Sequence, residues 1–109
     1  MQILLDVLAG GFAANAIPHL VKGITGERHM TPFRRVSSAP VNVAWAFVNV
    51  VVALLLLELA SRRGIFSPPA ASELAGPRLI AFLAGAFVTA LWLARFWSDP
   101  NARLPWHRD

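Results

Sequence analysis

Polar residues along this chain are sparse and bunched. Three apolar stretches, residues 3–21, 41–59 and 79–97, are separated by polar segments that carry Pro and Gly. Each is close to the roughly 20 residues a helix needs to cross about 30 Å of hydrocarbon. None alternates with period two over barrel-strand lengths, so the pattern predicts helices, which also satisfy backbone groups inside lipid. The second stretch carries no charge before Glu58 and follows Pro40, a residue suited to a first helical turn. The third opens after Gly76-Pro77-Arg78 and closes at Trp97, Asp99 and Pro100. The first is the most interrupted, by Asp6, Gly10, Gly11, Asn15, Pro18 and His19. Pro18 removes a backbone donor and is expected to kink or end that helix near residues 15–17. Ala14-Asn15-Ala16 looks like a signal-peptide cleavage site, but no Lys or Arg precedes the apolar run and Asp6 interrupts it. Without a charged leading region, a retained helix is expected.

The predicted architecture is all-α: one transmembrane domain over residues 1–109, a bundle of three transmembrane helices with the first kinked at Pro18. A cytoplasmic loop covers 22–40, an outer loop 60–78 and a cytoplasmic tail 98–109. Composition agrees. The chain is 56% apolar and 15% charged, against about 45–50% and about 25% in soluble domains, which argues against a disordered tail, a collagen-like fibre or an ordinary soluble enzyme. Zero cysteines exclude a disulfide scaffold and any thiolate metal site.

Charge then sets orientation. Lys22, Arg28, Arg34, Arg35, Arg95, Arg103 and Arg108 fall on one side, and Arg62, Arg63 and Arg78 on the other. The positive-inside bias places the first loop and C-terminus in the cytoplasm and the N-terminus outside, in a multi-pass protein of the inner (plasma) membrane. Arg62-Arg63 work against that bias. Trp45, Trp92, Trp97 and Trp106 suit interfacial anchoring on the cytoplasmic side, Trp92 being the deepest. A pI near 11.5 invites a nucleic-acid reading, but no basic stripe interleaved with aromatics is present, so no nucleic-acid partner is expected. Ten basic residues beside apolar spans are what orientation and anionic head groups require.

The few polar residues inside the spans are the candidate chemistry. On the second stretch Asn42, Ala46, Asn49, Ala53 and Ala60 form one helical stripe flanked by Trp45. Lipid tolerates amides poorly, so this stripe should face protein or a polar cavity. On the first, Gly11, Asn15, His19 and Lys22 share a face. Asn15, His19, Asn42, Asn49 and Trp45 are therefore candidates for a polar pathway or for packing. Interhelical glue is favoured for the amides, and an interfacial capping position for His19. Small residues offer packing surfaces: Gly10, Gly11, Ala13 and Ala14 on the first helix, and the rows Ala81/Gly85/Thr89 and Ala86/Ala90/Ala94 on the third. Asp6 and Glu58 fall near span ends, where carboxylates reach water, and Asp6 is within reach of Arg62 or Arg63.

The loop 22–40 is rich in Gly and Pro, hence turns rather than helix. Its Arg34-Arg35-x-Ser37-Ser38 run suits a phosphate or lipid head group, though a solvated basic loop is the simpler reading. His19, Glu27 and His29 fit no recognised metal spacing, so no metal and no cofactor are expected. No phosphate loop, nucleophile elbow or paired carboxylates occur, and Ser37, Ser38, Ser61, Ser67 and Ser72 lack a spaced His–Asp context. The chain does not read as an enzyme.

The run Asn15-Ala16-Ile17-Pro18-His19, with Gly23, Gly26, Pro32-Phe33, Ser37-Ser38 and Val41-Asn42-Val43-x-Trp45 after it, resembles a family of small three-helix bacterial membrane proteins. The likeness covers about the first half of the chain and implies a setting without a mechanism. It implies that Asn15, Pro18, His19, Pro32-Phe33, Asn42 and Trp45 form one unit, in which the loop folds back on the helix ends with Phe33 as an apolar anchor. The functional expectation is a structural or accessory membrane protein that associates with itself or a larger complex. The alternative is a homo-oligomeric channel or small transporter using the Asn/His stripes, and a weaker one is a membrane enzyme or lipid-handling protein. No acidic residue sits at mid-span, which weighs against cation-coupled transport.

Overall fold

In a computed structural model of the chain, which describes residues 1–61 and 74–108, the architecture is three long helices: α1 (Gln2–Ile24), α2 (Ala39–Ser61) and α3 (Pro77–Trp97). All three are long and apolar enough to cross a membrane. They extend the expected spans by up to three residues at an end. Pro40 lies in the first turn of α2 and Pro77 opens α3, the positions where the missing N–H costs no helical bond.

α1 runs through Pro18 to Ile24 without a break, so of the two outcomes expected of Pro18, a kink or an end near residues 15–17, the end is corrected. Its neighbours carry the reason. Gly23, one turn beyond Pro18, lies against the backbone of Ala39 and Val43 in α2, and His19 is held from the side. Tertiary contacts therefore continue on both sides of the proline and outweigh its local penalty.

α1 is the middle of the fold. It packs against α2 on one side and α3 on the other, while no Cα of α2 comes within 8 Å of α3. The two interfaces differ in kind. Toward α3 the contact is backbone on backbone: a Cβ at Gly10 would strike the Phe82 carbonyl, and one at Gly85 would strike the Val7 carbonyl. This is the close approach that small residues permit in lipid. The row Ala81/Gly85/Thr89 faces α1, while Ala90 and Ala94 of the other row remain exposed. Toward α2 the contact runs along the predicted stripe, with Asn42, Ala46, Asn49, Ala53 and Ala60 all buried. The exterior is aliphatic and aromatic, from Leu4 and Leu8 through Phe47 and Val51 to Phe87 and Leu91.

The non-helical segments flanking the helices close one end of the bundle. The loop 25–38 makes one antiparallel bridge, His29 with Ser37, and tail 98–108 crosses it. His107 Nε2 lies 2.8 Å from the Thr31 carbonyl, Trp106 donates to the Pro32 carbonyl at 2.8 Å, and Arg35 donates to the Ala102 carbonyl at 3.4 Å. We call this loop-and-tail unit the cap. Phe33 does not anchor it as expected: its ring stands edge-on to Trp45 at 5.4 Å but is 66% exposed. Met30, Thr31 and His107 fill the buried positions instead.

Candidate functional site

The polar residues inside the helices gather into two groups. At the end opposite the cap, Asp6 is completely buried and Arg78 meets it bidentately. Nε donates to Oδ2 at 2.9 Å and Nη2 to Oδ1 at 2.8 Å, while Nη1 reaches Ser61 Oγ at 3.3 Å. The expected water-exposed Asp6 is thus corrected, because the first turn of α3 delivers a guanidinium directly over it. Arg62 and Arg63, the expected partners, lie outside the described residues, as do Ser67 and Ser72. Glu58 is also buried rather than exposed, and its Oε2 has no hydrogen-bond partner among the described residues.

The second group rises from mid-span to the cap. Asn15 Nδ2 donates to Asn49 Oδ1 at 3.1 Å, and Asn49 Nδ2 donates to the Trp45 carbonyl at 2.8 Å. One helical turn nearer the cap, His19 Nδ1 lies 2.8 Å from Asn42 Oδ1. That oxygen can only accept, so the ring must carry its proton on Nδ1. Asn42 Nδ2 donates to the carbonyls of His29, Ser37 and Ser38 at 3.0–3.2 Å. Asn42 therefore joins α1, α2 and the loop at one fully buried side chain. His19 is buried beneath the loop and is bonded to Asn42 of α2 rather than capping a broken helix end.

The cap adds a third layer. His29 meets His19 edge-on at 5.2 Å and lies tilted against Trp97 at 4.2 Å between ring centroids. Burial pushes the His29 imidazole down to about 4, helped by the neighbouring His19 and Lys22 charges, so it is neutral at pH 7. His29 Nε2 and Trp97 Nε1 are buried without a hydrogen-bond partner among the described residues. Thr31 Oγ1 and Ser37 Oγ share a 2.6 Å hydrogen bond. Beneath these residues lies a cavity of ≈160 Å³ reached by Asn15, His19, Met30, Trp45 and Trp97.

The His19–Glu27–His29 trio does not assemble. Glu27 turns outward to Lys22 at 3.4 Å, leaving only the two imidazoles together, and no group of three His, Asp or Glu side chains converges among the described residues. What the sequence reading missed is the tail: nothing in periodicity places His107 beside Thr31, 76 positions earlier. No family model, curated protein or solved structure matches this chain.

Proposed function

We propose that this chain is a multi-pass protein of the inner (plasma) membrane with a structural or accessory, non-catalytic role. Its N-terminus is outside and the cap lies in the cytoplasm. The observation that carries this reading is that three pairs of polar residues inside the spans are engaged with each other, Glu58 Oε2 being left without a partner among the described residues. Asn15 is engaged with Asn49, His19 with Asn42, and Asp6 with Arg78. A solute path needs polar groups free to exchange partners, whereas these serve as interhelical glue. The aliphatic exterior suits lipid, and the basic residues Lys22, Arg28, Arg34, Arg35, Arg95, Arg103 and Arg108 fall at the cap end, as a cytoplasmic face requires. A bend at Pro18 belongs to the same reading. Self-association or entry into a larger membrane complex is supported by the exposed Ala90 and Ala94 of α3, where a neighbouring helix can approach closely.

Reconstitution tests the role. Liposomes holding the protein should pass ions and small solutes no faster than empty ones, and Asn49→Leu or His19→Ala should lower thermal stability without changing flux. Flux that those substitutions abolish favours the second reading, a homo-oligomeric channel or small transporter. The cavity bringing Asn15 and His19 together beneath the cap supports that alternative.

A further inference from the structure

Because α1 touches α3 through glycines, the two helices leave an open furrow on each side of their contact, one beside Ala13, Ile17 and Phe82 and one that runs on to the cap end. The latter measures ≈490 Å³ and is lined mainly by apolar groups, among them Val7, Phe12, Val88 and Trp92. At Trp92 it meets a second recess of ≈410 Å³ at the cap end, where Arg95, Phe96, Asp99 and Arg103 form the walls. Gly85, Val88, Trp92 and Arg95 recur every three or four residues, so the furrow runs along one face of α3 into the recess, which Asp99 joins from the turn just beyond the helix. From Gly85 to Arg95 that face is about 15 Å long at 1.5 Å per residue. This is half of the roughly 30 Å hydrocarbon thickness, the depth of a single leaflet.

We propose that this face binds one anionic phospholipid in the cap-side leaflet, its phosphate on Arg95 and Arg103 and an acyl chain in the α1–α3 furrow. The inference rests on the membrane reading above. The Arg95 side chain is exposed and makes no hydrogen bond or ion pair among the described residues. Among those residues the Arg103 side chain engages only the His107 carbonyl, through Nη2, which leaves its other donors available. Arg35 adds charge at the rim through its bond to the Ala102 carbonyl. The carboxylate in the recess, Asp99, accepts the Asn101 N–H at 2.9 Å and is occupied within its own turn. Trp92 stacks on Phe96 with 18° between ring planes, an amphipathic shelf at head-group level. The apolar furrow selects a lipid over free phosphate, because free phosphate would leave it unfilled. Basic pockets beside transmembrane helices on the cytoplasmic side recognise anionic head groups in this way.

Trp92 supplies the reporter. The protein is reconstituted in phosphatidylcholine bilayers containing rising fractions of phosphatidylglycerol brominated on its acyl chains, and emission is compared with that of Trp92→Phe. Quenching of Trp92 should saturate at a low phosphatidylglycerol fraction, whereas brominated phosphatidylcholine should quench in simple proportion to its amount. Arg95→Gln with Arg103→Gln should raise the half-saturating fraction on the order of 5-fold per guanidinium. Val88→Phe, a change at an exposed position, should fill the furrow and weaken saturation. Quenching proportional to mole fraction for both lipids and indifferent to the Arg substitutions overturns the proposal. Displacement by soluble glycerol phosphate overturns it in favour of a free-phosphate site. Absence of quenching by either lipid defeats the membrane reading itself, so the two failures are distinguishable.

Discussion

Removing Arg78 gives the sharpest test of how the helices are held. Asp6 has no exposed surface and Arg78 retains 13% side-chain exposure. Arg78→Met therefore leaves a carboxylate in a protein interior without its counter-ion. Breaking a buried pair from one side costs about 3–5 kcal/mol. The penalty for Arg78→Met should therefore be about 3–4 kcal/mol. Asp6→Leu combined with Arg78→Met removes both charges and should recover most of the loss, since apolar replacement of a buried pair is often neutral or better. Equilibrium unfolding in mixed detergent micelles, followed by far-ultraviolet circular dichroism, measures all of these. A penalty below about 1 kcal/mol, or a double variant weaker than Arg78→Met, would refute the reasoning.

Other substitutions probe the remaining contacts. Gly85→Ala gains about 1 kcal/mol of helix propensity yet should destabilise, because its Cβ meets the Val7 carbonyl. Gly11→Ala should be near neutral, since only Thr89 Oγ1 lies near, at 3.0 Å; thermal melts of the pair check the contrast. Asn42→Ala removes a side-chain donor shared by three carbonyls, each of which keeps a backbone N–H, and strands the buried His19 Nδ1–H, so it should cost about 2–4 kcal/mol. It should also open the cap, read as thiol labelling of a Met30→Cys reporter. Asn49→Leu removes one interhelical bond and should cost only about 0.6–1.7 kcal/mol by the same melts. His29 is held below its ordinary value, so the unfolded cap binds more protons than the folded one in the interval between. Cap stability should be complete above about pH 6.5 and decline as pH falls toward about 4. The groups facing His29 are His19 and Lys22, so His29→Phe should flatten the profile of Trp fluorescence against pH, provided His29 is the group responsible.

The three helices and the α2 stripe were legible because a 3.6-residue period writes burial directly into sequence. Five residues expected on that stripe, from Asn42 to Ala60, are the ones buried against α1. Periodicity within one helix cannot report a partner delivered by another. Asp6 therefore looked like a solvent-reaching carboxylate until Arg78, 72 residues later, stood over it. Glu58 lies off the stripe by helical angle and is buried all the same, which no reading of α2 by itself anticipates. Asn15, His19 and Trp45 line the cavity under the cap, and Asn42 bonds to His19 beside it. The choice of Phe33 as anchor failed for a different reason. Hydrophobicity marked the largest apolar residue of the loop, but hydrogen bonding by Thr31 and Ser37 decided which side of the loop turned inward.

The two faces of α1 impose different constraints on the fold. Toward α2, directional amide and imidazole bonds at Asn15–Asn49 and His19–Asn42 fix both rotation and register. Toward α3, glycine contacts permit close approach but carry little directional information, and a smooth backbone contact can slide. Between Arg78 and Trp97 no side-chain hydrogen bond ties α3 to α1 among the described residues. Register there must come from the ends: the Asp6–Arg78 pair at one, and the tail bonds of Trp106 and His107 to the loop at the other. Cutting either end alone leaves the other to hold register. Cutting both, with Arg78→Met and removal of residues 105–109, should free α3 to shift along α1, and disulfide crosslinking between Gly11→Cys and Thr89→Cys should then lose its efficiency more than the two single changes together predict.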